Sequence, residues 1–164
     1  MSKVKIALGY IPGSIGRVAE LHGTYYHAHW GFGRFFEAKV ATELAEFLSR
    51  YDEKRDGFWT ALLEDRVEGS LSIDGIHSAG KGAHLRWFIM SDALRGKGIG
   101  KRLMNAAIEF CNHKGYERIY LWTFEGLDAA KHLYEKTGFK LVEQNRGIQW
   151  CTKVNEQRFE LQLK

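Results

Sequence analysis

The chain opens with apolar residues at alternate positions, Val4, Ile6 and Leu8, which predicts a half-buried strand over Val4 to Gly9. Tyr10-Ile11-Pro12-Gly13-Ser14 has the composition of a turn, with Ser14 as N-cap or first-turn residue of a helix. The period then lengthens: Ile15, Val18, Leu21 and Tyr25 mark that helix over Ile15 to His29. Gly31-Phe32-Gly33 breaks it, and a second helix, Phe35 to Tyr51, turns Phe36, Val40, Leu44, Phe47 and Leu48 inward. Period two returns in Trp59 to Glu64 and Val67 to Ile73, a hairpin about a tight Asp65-Arg66 turn. A polar connection, Gly75 to Gly82, leads to the strand Leu85 to Met90, which Ser91-Asp92-Ala93 ends. Ile99, Leu103, Ala106, Ala107 and Phe110 recur at helical steps, and Arg118 to Thr123 is again strand-like. A short helix holds Ala130, Leu133 and Tyr134 on one face. Phe139 to Glu143 and Arg158 to Leu163 read as the last strands, joined by a long loop, Gln144 to Gln157. This order is that of an α/β chain: a mixed sheet of about seven strands with helices on both faces.

Composition narrows the classes. At 164 residues the chain is expected to form one domain, 1–164, large enough for a real core. Its 45% apolar and 27% charged residues are those of a folded water-soluble protein. No run approaches the length of a membrane span, and no apolar leader begins the chain. A formal net charge of +4 suits an anionic ligand but is too scattered for nucleic acid, and no basic–aromatic face accompanies it. Cys111 and Cys151 form no disulfide framework and read as reduced thiols of a cytoplasmic protein, Cys111 on the apolar side of its helix. His22, His27 and His29 have no carboxylate at a zinc-ligand spacing, so no metal site is expected.

The chemistry concentrates in Arg95-Gly96-Lys97-Gly98-Ile99-Gly100-Lys101-Arg102, where a strand hands over to a helix. A helix N-terminus presents unpaired N–H groups and the positive end of its dipole, and so binds anions. Glycine lets a phosphate approach such a turn, and Lys97, Lys101 and Arg102 add charge. The pattern is neither a P-loop nor a dinucleotide fingerprint, since no Lys-Ser/Thr follows the glycines and no acidic residue ends the next strand. A pyrophosphate cradle is the expectation.

Arg95-Gly96-Lys97-Gly98-Ile99-Gly100 resembles the Arg/Gln-x-x-Gly-x-Gly/Ala signature of the GNAT superfamily of N-acetyltransferases. Ala130-Lys131-His132-Leu133-Tyr134-Glu135-Lys136-Thr137-Gly138-Phe139 is similar to that family's Ala-x-x-Leu-Tyr-x-x-x-Gly-Phe, in the right order and with a strand between. Leu127 stands where the family usually has Asn. The strands Leu85-Arg86-Trp87-Phe88 and Leu121-Trp122-Thr123 also resemble the acetyltransferase half of bacterial regulator–acetyltransferase fusions. The resemblance implies a mostly antiparallel sheet splayed open beside its central strand, with acetyl-CoA as co-substrate and no metal. It implies a cofactor site of Phe88, Ile89, Met90, Arg95, Gly96, Lys97, Gly98, Ile99, Gly100, Lys101 and Ala130, in which the central strand donates an N–H to the thioester oxygen. Tyr134 then corresponds to the general acid, and its alternative is a buried tyrosine that only packs.

Acetyl transfer also needs a neutral amine, and an amine of pKa ≈ 10.4 is protonated roughly 2,500 to one at pH 7. Glu125, just past the strand lining the split, is the first candidate base, Asp128 the second, with Glu68 and Arg86 behind them. The resemblance further implies an acceptor groove of Tyr25, Tyr26, His29, Phe32, Phe35 and Trp150. The same aromatics equally suit a homodimer contact or local core. The function implied is transfer of acetyl from acetyl-CoA to a primary amine of a small molecule or peptide/protein in a ternary complex; the alternative is a non-catalytic acyl-CoA-binding module.

Overall fold

The computed structural model describes residues 3–164, so the first two positions of the expected unit lie outside the described residues. The strands are β1 Val4–Leu8, β2 Gly57–Leu63, β3 Arg66–Asp74, β4 Ala83–Met90, β5 Arg118–Phe124, β6 Lys140–Gly147 and β7 Val154–Gln162. The helices are α1 Ser14–Trp30, α2 Arg34–Ser49, α3 Ile99–His113 and α4 Asp128–Thr137. One sheet in the order β1-β2-β3-β4-β5-β7-β6 holds all seven strands. Every neighbouring pair is antiparallel except β4 and β5, which run parallel.

Two cores follow, one on each face. On one, Val18 of α1 and Phe36, Val40, Leu44 and Phe47 of α2 bury Phe58, Val67, Trp87 and Phe124 of the sheet. On the other, Leu103, Met104, Ala107 and Cys111 of α3, with Tyr134 of α4, cover Trp59, Leu71, Leu85, Ile119, Leu121 and Phe159. The 3.6-residue spacing read from the sequence is what each helix buries.

The parallel ladder between β4 and β5 lasts two rungs, Ala83↔Ile119 and His84↔Tyr120. Beyond them the strands part, and a bulge in β4 helps drive them apart. Ser72 pairs with Arg86 and Ser70 with Ile89, so Leu71 alone faces both Trp87 and Phe88. Trp87 sits at a φ of 49°, left-handed backbone that a bulky residue rarely adopts. The buried Ser70 hydroxyl donates to the Trp87 carbonyl at 2.6 Å and so braces the bulge. The extra residue also inverts the alternation: Ala83 and Leu85 face α3 before it, Phe88 and Met90 after it.

One open choice resolves and two local expectations change. Ser14, read as N-cap or first-turn residue, is the latter, buried with its hydroxyl unbonded, and Gly13 at φ 90° takes the N-cap position. The hairpin turns one residue earlier than expected, on Glu64 and Asp65, whose φ values of 52° and 63° make the mirror-image turn that suits twisted strands. The loop expected over 144–157 is mostly strand: β6 runs to Gly147 and β7 starts at Val154. The edge strand β6 is exposed along nearly its whole length, so nothing forces apolar residues onto alternate positions and the usual pattern is missing.

Replacing Ser70 by Ala should leave the Trp87 carbonyl buried without its donor. We expect a loss of about 1–3 kcal/mol in urea unfolding with an unchanged m-value; wild-type stability would mean that Ser70 does not support the bulge.

Candidate active site

Where β4 and β5 part, a cavity of about 460 Å³ opens between them, reaching from Tyr25, Tyr26 and Phe36 under the first two helices to Ala130, Leu133 and Tyr134 of α4. Its floor is β4 itself, His84 through Met90, whose edge toward β5 has no ladder partner past His84. Its far wall is Leu121 to Phe124 of β5, followed by Gly126, Leu127 and Asp128.

At one end the chain leaves β4 through a 3₁₀ turn, Asp92–Leu94, capped by the Ser91 hydroxyl. Arg95 lines the cavity there and pairs with Asp92 through Nη2 at 2.7 Å. Gly96 and Gly98 both take left-handed backbone, at φ 72° and 71°, and Gly98 is the N-cap of α3. The first helical N–H bond is Arg102 to Gly98, at 3.2 Å, so the N–H groups of Ile99, Gly100 and Lys101 face out of the helix end. Gly100 is packed from below: a Cβ there would lie 3.1 Å from the Met90 methyl and 3.4 Å from both Leu133 and the Phe88 ring. Lys97, Lys101 and Arg102 are exposed around the turn. Outward N–H groups, a helix dipole and mobile cations at the mouth of a long cleft fit a pyrophosphate with an apolar arm running inward along β4.

Tyr134 is 6% exposed and packs against Phe139 and Phe159, at 5.9 Å in each case, and against Phe88 at 6.2 Å. Gly138 ends its helix at φ 114°, its N–H donating to the Tyr134 and Glu135 carbonyls. The Tyr134 hydroxyl makes no hydrogen bond among the described residues, yet it is not sealed in protein, and its ring lines the cavity. Burial holds its pKa above the ordinary tyrosine range, so the proton stays on the oxygen. Tyr26 of α1 is raised as well, first by burial and then by the neighbouring Tyr134 and Tyr25.

The chain belongs to the GNAT acetyltransferase family. The model of the acetyltransferase (GNAT) family matches residues 16–139. N-acetylaspartate synthetase of Xenopus tropicalis is 32% identical over 120 residues, covering 72% of this chain and 44% of that protein. The uncharacterized N-acetyltransferase YjgM of Escherichia coli (strain K12) is 30% identical over 110 residues, 66% of this chain and 64% of that one. The chain thus spans about two-fifths of the length of the first curated relatives it matches. In fold it is similar to a GNAT acetyltransferase of Staphylococcus aureus Mu50, with a TM-score of 0.78 at 17% identity, covering 99% of this chain and 100% of that one. It is likewise similar to yncA of Salmonella typhimurium, solved with its cofactor acetyl-CoA, with a TM-score of 0.72 at 16% identity over 97% and 94% of the two chains.

Within this GNAT fold the expected site residues separate. Phe88, Ile89, Met90, Arg95, Ala130 and Tyr134 line the cavity, whereas Gly96 to Lys101 do not; they continue the chain from Arg95 into the start of α3. Leu127, where the family pattern has Asn, lines it too and occupies the N-cap of α4 without any side-chain cap. Tyr25, Tyr26 and Trp150 line the cavity as well, whereas Phe32 does not: it is 2% exposed, packed between Tyr26, Phe36 and Phe124 in the core. His29 packs against Tyr25 at a tilt of 40° outside the cavity, and Phe35 is exposed to solvent. Glu125 is also outside. Phe124 turns inward in register with Glu156, so the next side chain points out, where the Asn155 amide donates to it at 3.3 Å. Glu68 is bound to Arg17 at 2.7 Å, away from the cavity. Of the carboxylates considered as base, only Asp128 borders the cavity.

The sequence reading missed His22, Lys39, Glu43, His84 and Trp122, all of which line the cavity. Lys39 and Glu43 are spaced i,i+4 beside the inward stripe of α2 and look like an ordinary solvated face. Burial lowers the pKa of His22 to about 4, against the opposing bond from its Nδ1 to the Val18 carbonyl at 2.8 Å. Burial, then the charge of Arg86, lowers His84 to about 3. Both rings are therefore neutral and weakly basic at pH 7. Among the described residues no group of three or more His, Cys, Asp or Glu is placed to hold a metal, and no helix is long and apolar enough to cross a membrane.

Two measurements test this site. Gly98→Asp places a carboxylate at the helix end, where a Cβ meets nothing within 4 Å and Asp is among the residues that tolerate left-handed backbone, and calorimetry should show acetyl-CoA affinity falling at least about tenfold; unchanged affinity would remove the turn from the cofactor site. The unfolded chain protonates each histidine near 6.5, but the folded chain not until about 4 for His22 and about 3 for His84. Folding stability is then lost as pH falls below about 6.5. His22→Gln with His84→Gln should flatten that fall between pH 6.5 and 4.5; an unaltered slope would contradict the neutral assignment.

Proposed function

We propose that residues 1–164 act as one cytoplasmic catalytic unit that moves the acetyl group of acetyl-CoA to an amine in a ternary complex. Acetyl-CoA, when bound, supplies an activated acetyl thioester; the rest is the work of this chain. The observation that carries the reading is the free Tyr134 hydroxyl in the split between β4 and β5. A tyrosine used only for packing would be expected to satisfy that hydroxyl. Relatives named N-acetyltransferases support nitrogen as the acceptor atom. The unpaired Cys111 and Cys151 suit a reducing compartment, and burial pushes the Cys111 thiol up to about 12, which makes it a poor nucleophile.

The chain's residues divide the work. The turn from Gly96 to Lys101 holds the pyrophosphate. The unpaired edge of β4 around Phe88 to Met90 aligns the pantetheine arm and offers a backbone N–H to the negative charge that develops on the thioester oxygen. Tyr25, Tyr26 and Trp150 shape the space for the acceptor, a primary amine of a small molecule, peptide or protein. Holding both substrates in one geometry accounts for roughly 7–11 kcal/mol of the barrier. Asp128 at the rim, with no hydrogen bond or ion pair among the described residues, receives the amine's proton. The Tyr134 Oη gives its own proton to the departing sulfur. Burial keeps the hydroxyl protonated at pH 7, and so available as a donor at the sulfur, while moving its pKa further from that of the thiol.

Tyr134→Phe removes the proton while keeping the ring. We expect kcat to fall about 10²–10⁴-fold, with acetyl-CoA affinity and Tm near wild type; slow hydrolysis of acetyl-CoA serves where no acceptor is in hand. Wild-type turnover in this variant would take Tyr134 out of the chemistry.

A further inference from the structure

The alternation of β4 decides what the acceptor meets. Leu85 faces α3, so Arg86, one residue before the bulge, faces α1 and α2 across the cavity. Its guanidinium lies over the Trp87 ring, 4.1 Å from the centroid. One of its nitrogens, Nη2, donates to Glu43 of α2. Lys39, one turn earlier on α2, donates to the other oxygen of Glu43. All three side chains line the cavity, and together they carry two positive charges against one negative.

Glu43 is committed. Burial pushes its carboxyl up, but the bonds from Lys39 and Arg86 outweigh that and hold it below its ordinary value. It is an ionised counterion, already shared, and is poorly placed to take a proton from an amine. Arg86 is not committed to the same degree. Its side chain is 24% exposed, and among the described residues only Nη2 of its three nitrogens has an acceptor. The neighbouring groups do not supply one: His84 is neutral, and Asp128 stands on α4 at the other rim. A planar fork lying over an aromatic ring at a cavity wall, with two of its three nitrogens unbonded among the described residues and charge to spare, matches the two oxygens of a carboxylate. The other surface offered to the acceptor, Tyr25, Tyr26 and Trp122, is aromatic and suits carbon.

We infer that Arg86, with Lys39 beside it, binds a carboxylate of the acceptor, and that the acceptor is a free amino acid whose amine reaches the split. This rests on the acetyltransferase reading and narrows its substrate. Glu43 is the positioning residue that keeps both cations on the cavity wall, and Trp87 fixes the plane of the guanidinium.

The test uses the whole chain with acetyl-CoA, reading free thiol as it forms. The acceptors are the L-amino acids, each paired with its own carboxamide, together with tyramine and spermidine as amines lacking a carboxylate. At least one amino acid should turn over, with its carboxamide roughly 10- to 100-fold lower in kcat/KM, chiefly through KM. Arg86→Ala should shrink that acid–amide ratio toward one, Arg86→Lys should retain part of it, and Lys39→Met should reduce it without disturbing the stacking on Trp87. The wild-type comparison stands even if an Arg86 variant fails to fold. Carboxamides, tyramine or spermidine turned over as well as the acids would overturn the inference. So would turnover of no amino acid, or an acid–amide ratio that survives in folded Arg86→Ala. Calorimetry with acetyl-CoA alone separates the two readings: absent binding strikes the acetyltransferase assignment, while intact binding without acid preference strikes only the carboxylate site.

Discussion

One extra residue in β4 sets the form of the active site. Leu71 of β3 can pair with only one neighbour, and β4 presents two, Trp87 and Phe88. The surplus has to go somewhere. It is absorbed as a left-handed Trp87, held by a hydroxyl from Ser70 beneath it. The bend carries β4 away from β5 and leaves one strand edge without a partner in the middle of a sheet. Backbone groups buried that way normally destabilise a fold. Here they border a cavity, where a ligand's amides and carbonyl can complete them.

The same inversion sorts the chemistry by face. Before the bulge, Arg86 belongs to the helical layer formed by α1 and α2; after it, Phe88 and Met90 belong to that of α3 and α4. In the reaction proposed above, a cofactor over the glycine turn and an acceptor under α2 would therefore meet through the sheet. Burial then tunes what they meet. It keeps Tyr134 protonated and both cavity histidines neutral, while the turn around Lys97 and Lys101 is exposed to solvent. The proposed acid, the neutral wall and the proposed anion site are set apart by depth more than by residue type.

How much of this could be read from the chain depends on how local each constraint is. Gly96, Gly98 and Gly138 mark places where the backbone must turn left-handed beside a helix end, and their neighbours in sequence suffice to say so. The helical stripes and the seven strands were legible because burial on a face leaves a period. The ends of β6 and β7 were not, since a strand exposed at the edge has no face to hide. Glu125 and Phe32 were misplaced for a related reason. Each lies at a junction, where one residue of strand length or one glycine of turn decides between cavity, core and solvent. The ion-paired trio of Arg86, Glu43 and Lys39 joins residues 43 positions apart, and no spacing in the sequence announces it.

The two-rung contact between β4 and β5 has a thermodynamic corollary. It divides the sheet into β1 to β4, with α1 and α2 packed on most of it, and β5, β7 and β6, with little backbone hydrogen bonding across the seam. A molecule lying in the gap would touch both walls, β4 and Leu121 to Phe124 of β5, and could bond the strand edge that β4 leaves open. Its binding free energy is then also cohesion between the two parts, by the same linkage that couples any ligand to the state it prefers. In that sense the rungs absent past His84 would be provided from outside the chain, and the protein's resistance to unfolding would rise and fall with the supply of its own co-substrate.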